Sequence, residues 1–168
     1  GGTEYHKGSL TAANSNSGAY SLIYDNDNGQ FSSVYGIRQA YIYLNNVDRV
    51  PDMTDEEKRI RKGEAKMIIA YHYVDMLRFL GGMPWIDRAY KPEDEMDMER
   101  MTVGESVEKI CGLIDEAAGM LPWSVSAEDD GRMTAAGALA LKLRLLLFTA
   151  SPLFNDKEPY KEGEAADK

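Results

Sequence analysis

The chain has 168 residues, 43% hydrophobic and 28% charged, which suits one globular domain with a substantial core and is short for two. Its 28 acidic and 19 basic residues leave a net charge of -9, so no nucleic acid partner is expected, because no cationic surplus exists to displace phosphate counterions. One cysteine, Cys111, excludes an intramolecular disulfide and a cysteine metal cluster.

Residues 1–30 are rich in Gly, Ser, Asn, Asp and Tyr and carry no helical period. They read as an irregular loop segment, with a short extended stretch over 19–24. No secretory leader and no lipid-accepting cysteine open the chain. From Phe31 the pattern is helical. A first helix is expected over 32–47, with Val34, Ile37, Tyr41 and Leu44 on one stripe. A second begins after Thr54, which forms a capping box with Glu57, and runs to the Gly81-Gly82 pair. Its first turns are charged and its last four turns apolar on most faces.

Residues 83–101 form a connector with two prolines and a run of acidic residues and methionines. Thr102 and Glu105 make a second capping box, opening a helix striped by Val103, Val107, Ile110, Ile114, Ala117 and Leu121. After the acidic loop SAEDDGR, Thr134 caps a fourth helix that ends before Pro152. This helix is Ala- and Leu-rich almost all round, so it is expected to be the most buried element. The apolar stretch 135–154 is broken by Lys142, Arg144 and Pro152, which suits a buried helix better than a membrane span. Alternating helices and loops suggest an array of α-hairpins, although no tetratricopeptide signature is met residue by residue.

Catalytic chemistry is hard to place. His6 lies in the irregular start, and His72, between two tyrosines in mid-helix, reads as a packed or hydrogen-bonded residue. Asp94, Glu95, Asp97 and Glu99 read as a solvated charge run, and Cys111 as a small core residue. Met67, Met76 and Met120 sit at core spacing, whereas Met96, Met98 and Met101 are left unplaced. No phosphate-loop, metalloprotease or nucleophile-elbow motif occurs. No catalytic residue, metal ligand or cofactor is therefore expected. One segment has the composition of a neutral-ligand site. Tyr20, Tyr24, Asp25, Asn26, Asp27, Asn28 and Gln30 combine flat aromatic faces with short polar groups. A surface loop built of turn-forming residues has the same composition.

Four ordered stretches carry a family resemblance. They are YGIRQAYIYLNNV (35–47), KGEAKMIIAYHYVDMLRFLGGMPW (62–85), SVEKICGLIDEAAGMLP (106–122) with Gly131-Arg132 after it, and ALALKLRLLLFTASPLFN (138–155). Together they resemble the SusD/RagB family, departing where Tyr41 replaces the usual asparagine and Ile69 a frequent arginine. The resemblance implies an all-α fold of tetratricopeptide-like helical hairpins over 31–155, preceded by the loop segment 1–30 and followed by a polar tail, 156–168. It implies a non-catalytic role: binding oligosaccharides or other nutrients on the extracellular face of the outer membrane. The implied partners are the oligosaccharide and a TonB-dependent SusC-like transporter, with the membrane reached through an N-terminal lipid outside this chain. Tyr20, Tyr24, Asp25, Asn26 and Asn28 are the expected ligand contacts. The competing reading is a helical scaffold that binds a protein and no small molecule.

Overall fold

The computed structural model describes residues 33–91, 93–95 and 97–155. Four helices follow one another: α1 (Ser33–Asn46), α2 (Asp55–Leu80), α3 (Val103–Met120) and α4 (Ala135–Thr149). A short helix, α5 (Pro152–Asn155), ends the described part. The all-α expectation holds, and no strand occurs among the described residues.

Both expected capping boxes form. Thr54 and Glu57 exchange side-chain and backbone bonds at the start of α2, and Thr102 and Glu105 repeat the arrangement on α3. Each box occupies two of the amides that an α-helix leaves without internal partners. The first helix stops one residue before its expected end, at Asn46, and continues as a 3-10 turn over Val47–Arg49.

Each helix packs chiefly on its neighbour in sequence, so the array runs α1, α2, α3, α4. Cross-helix bonds fix the directions. Lys62 at the start of α2 pairs with Asp48 beyond the end of α1, at 2.7 Å. Arg59 donates to the carbonyls of Gly119 and Met120, at 3.2 and 2.7 Å, and Lys66 pairs with Glu116. Lys142 of α4 pairs with Asp115 of α3 at 2.6 Å. Every successive pair is therefore antiparallel, as an α-hairpin array requires.

The core sits around α2, whose Ala65, Met67, Ile69, Ala70, Tyr73, Met76 and Leu77 are buried. The α3 stripe meets it with Ile110, Ile114 and Ala117, all fully buried. Small residues allow the close approach: a Cβ on Gly63 would stand 3.0 Å from Leu121 and Met120. Two of the family-like motifs meet here. Glu64 of the Gly-Glu-Ala run accepts two bonds from Arg132 of the Gly-Arg pair, at 2.9 and 2.7 Å. Arg132 reaches back because Gly131 turns the chain at φ 92°, where glycine carries no Cβ penalty. Burial pushes the Glu64 carboxyl above its ordinary range, against the lowering pull of Arg61.

Three expectations need correction. The most buried element is α2; α4 buries only Ala138 and Leu145 and leaves Leu139, Leu143, Leu146 and Leu147 exposed. The composition marked α4 as greasy on all sides, but only the α3 side of it has a partner among the described residues. Val34, expected on the buried stripe of α1, is exposed, because α2 passes under Ile37 and Ala40 instead. Met120 is half-buried at the rim of the α2–α3 contact rather than inside the core.

Candidate functional site

The irregular part of the fold with the most defined geometry is the connector between α2 and α3. It begins at a neck built from two glycines. Gly81 has φ 75° and ψ -141°, a conformation that side-chain-bearing residues avoid. Gly82 passes so close to the returning strand of the connector that a Cβ would lie 1.9 Å from the Met101 carbonyl oxygen. The Met101 amide donates to Met83 O at 3.3 Å, and Arg100 donates to the carbonyls of Gly82 and Leu80, each at 2.6 Å. A cation thus sits on the carbonyl end of α2, where the helix dipole favours it.

Inside the loop, Tyr73 is the pin. It is fully buried, and its ring stacks on Trp85 at 4.3 Å with planes 18° apart. Its hydroxyl accepts from the Ile86 amide at 2.6 Å and donates to Pro84 O at 3.3 Å. Lys109 of α3 places its ammonium 5.4 Å from the other ring, that of Trp85. Arg38 of α1 donates from Nε to Tyr90 O at 3.1 Å. Burial pushes the Tyr73 phenol far above its ordinary value, and Tyr41 is raised to about 12, by burial first and Asp87 second.

Between this loop, the start of α1 and the end of α2 lies a cavity of about 520 Å³. Val34, Met76, Leu80, Met83, Ile86 and Met98 make its apolar walls, and Arg38, Arg88, Tyr90 and Lys91 its polar edge. Arg88 lies 4.5 Å over the Tyr90 ring, and the Tyr90 hydroxyl donates to Asp87 at 3.1 Å. No carboxylate, imidazole or thiol lines it among the described residues. Such a site can enclose an apolar group and offer cations beside it; it presents no nucleophile with its base.

The residues named from the sequence fall differently. Tyr20, Tyr24, Asp25, Asn26, Asp27, Asn28 and Gln30 lie outside the described residues, as do His6 and Met96. Met98 lines the cavity and Met101 closes the neck, so both methionines have a place that spacing alone left open. Val34, Arg38, Met83 and Tyr90 were missed. The only signal for them was the proline- and methionine-rich composition of a connector otherwise read as solvated. The carboxylates at 95, 97 and 99 are indeed exposed, while Asp94 accepts from the Lys91 amide at 2.9 Å.

His72 is a packed residue, as expected. Its Nδ1 lies 3.3 Å from Ser33 Oγ, and Gly36 sits so close that a Cβ there would fall 2.3 Å from Nε2. Burial lowers its pKa. The unfolded chain therefore takes up a proton on His72 at higher pH than the folded chain does. The resulting contribution to stability is whole above the unfolded value of roughly 6.5 and is lost as pH falls through the lower folded value. The melting temperature should accordingly fall between pH 7.5 and 5.5, and a scan of His72→Gln should show a flatter profile over that window. Cys111 is half-buried, and burial raises its thiol pKa, which keeps it in the poorly nucleophilic protonated form.

The comparisons with known proteins bear on all of this. A family model described as "Starch-binding associating with outer membrane" matches residues 4–147. The chain belongs to the SusD-like family. No curated protein matches it. Among solved structures, it resembles a SusD-like protein from Bacteroides fragilis at 26% identity and TM-score 0.64, over 68% of this chain and 22% of that one. A laminarin-binding SusD-like protein aligns at 23% identity and TM-score 0.63, over 68% of this chain and 25% of that one. Surface glycan-binding protein A from Bacteroides thetaiotaomicron, solved in complex with laminarihexaose, aligns at 20% identity and TM-score 0.57, over 68% of this chain and 23% of that one. The chain spans about a quarter of the length of these SusD-like neighbours. The neck glycines, Tyr73 and Trp85 all lie within the matched region, which identifies the connector as part of the SusD-like scaffold.

Proposed function

We propose that this chain is part of a cell-surface glycan-binding protein that holds an oligosaccharide without transforming it. The observation that carries the reading is the family match across 4–147, a family described as starch-binding and associated with the outer membrane. Two of the solved neighbours bind laminarin or were crystallised with laminarihexaose, which supports a β-linked or starch-like glucan as the first ligand to try. The ligand contacts are Tyr20, Tyr24, Asp25, Asn26 and Asn28, whose rings would stack on sugar faces while the amides and carboxylate bond hydroxyls. The protein sits on the extracellular face of the outer membrane through an N-terminal lipid. There it passes the oligosaccharide to a TonB-dependent SusC-like transporter. The antiparallel hairpins are scaffold in this reading. No helix among the described residues is long and apolar enough to cross a membrane, so the attachment is assigned to the lipid.

Isothermal titration of the full-length protein with starch and laminarin oligosaccharides tests the proposal. Heat should be released with at least one glucan, and Tyr20→Ala or Tyr24→Ala should weaken binding by about 1–3 kcal/mol, the scale of a lost aromatic anchor. Silence toward every neutral glycan would refute the sugar assignment. Co-purification with a soluble helical partner in place of a barrel would favour the scaffold reading.

A further inference from the structure

The second apolar face of α4 has no role in the hairpin it closes. At about 100° per residue, Ala138, Leu141, Leu145 and Phe148 gather on one side of the helix and pack toward α3 and the core. Leu139, Leu143, Leu146 and Leu147 gather on the opposite side, 44%, 58%, 42% and 65% exposed. The two sides are divided by Lys142, which reaches across to Asp115, and by Arg144 on the other border. Four leucines at i, i+4, i+7 and i+8 form the stripe one helix offers another, and a soluble helix that is apolar all round is an enclosed one.

We propose that this leucine face is an internal seam, covered by a further antiparallel helix of the same polypeptide that extends the array past α4. Three observations choose this occupant. Each helix of the array already packs on the next in sequence, antiparallel, so α4 is the only one of the four with a free side along the direction of growth. The end of α4 is built as a reversal. Asn155 donates to the carbonyls of Thr149 and Ser151 at 2.6 and 3.1 Å, and Phe154 sets its ring edge-on to Phe148 at 5.3 Å. The stretch shared with the solved neighbours is only 22–25% of their chains, so the architecture has further elements to supply the cover. The sequence of residues 156–168, DKEPYKEGEAADK, has no apolar stripe and is not that cover.

Maleimide labelling of Leu143→Cys and Leu147→Cys tests the seam, each made in a Cys111→Ala background. Both variants would be prepared as the 168-residue chain and as the product of the complete reading frame. Exposed leucine positions in the short chain should label freely, and in the full-length protein at least tenfold more slowly. Equal rates in the two would overturn the proposal. So would protection that appears only on adding anionic lipid vesicles, which would make the face a membrane seat. Protection that rises with concentration of the full-length protein would make it a contact between copies and would equally overturn it. A glycan-binding failure would leave these rates unchanged, so the seam stands or falls apart from the proposed ligand.

Discussion

Gly82→Ala should destabilise the protein by about 3 kcal/mol or more, the upper end of what forced overpacking costs. The obstacle is backbone and not a side chain that can swing away. The added Cβ would meet Met101 O at 1.9 Å and Thr102 C at 2.8 Å. Relief requires lifting the return of the connector off the end of α2. That movement breaks the Met101–Met83 bond and both Arg100 bonds to α2 carbonyls. It also displaces Thr102, whose capping box starts α3. Thermal unfolding followed by circular dichroism should show a drop in melting temperature on the order of 10 °C for a domain of this size. A wild-type melting curve for Gly82→Ala would mean that the neck is not tied as described. Gly112, with nothing within 4 Å of an added Cβ, is the matched control. There, alanine should stabilise slightly, by roughly 0.5–1 kcal/mol, through better helix propensity.

The second large effect belongs to Tyr73, and two substitutions separate its two roles. Tyr73→Ala removes a fully buried ring and its stacking partner's support, and should cost about 3–5 kcal/mol. Tyr73→Phe keeps the stack on Trp85 but leaves the Ile86 amide without its 2.6 Å acceptor. That change should cost about 1–3 kcal/mol, the penalty for stranding a buried donor. Urea unfolding would measure both. The near-ultraviolet dichroism of Trp85 adds a local readout: it should collapse in Tyr73→Ala and persist in Tyr73→Phe. Equal losses in the two variants would show that the hydroxyl, and not the ring, holds the connector.

These two residues also show why the sequence was readable to different depths. Helix starts were legible because capping is local: Thr54 with Glu57 and Thr102 with Glu105 act over three residues. The α3 stripe was legible because one face meets one partner. Residue-level periodicity could not tell how many sides of α4 have neighbours, since greasiness on all faces states a need for cover and not its presence. The connector was illegible for a different reason. Its order comes from Tyr73, Arg38 and Lys109, which lie on three separate helices, and no window of sequence contains them together. Gly-Gly-x-Pro was visible as a helix stop, but the contact of Gly82 with Met101, nineteen positions on, was not. The site residues proposed from composition, Tyr20 to Asn28, rest on residue type alone and await the titration.

The order of packing has a consequence for how the molecule forms. Because each helix rests on the next one along the chain, most loops that must close are short, and their entropy cost is small. A polypeptide of this design can gather its hairpins one after another as it leaves the ribosome, with α1 and α2 pairing before α4 exists. The connector is the slow exception, since its neck can tie only once α2 and the start of α3 are both in place.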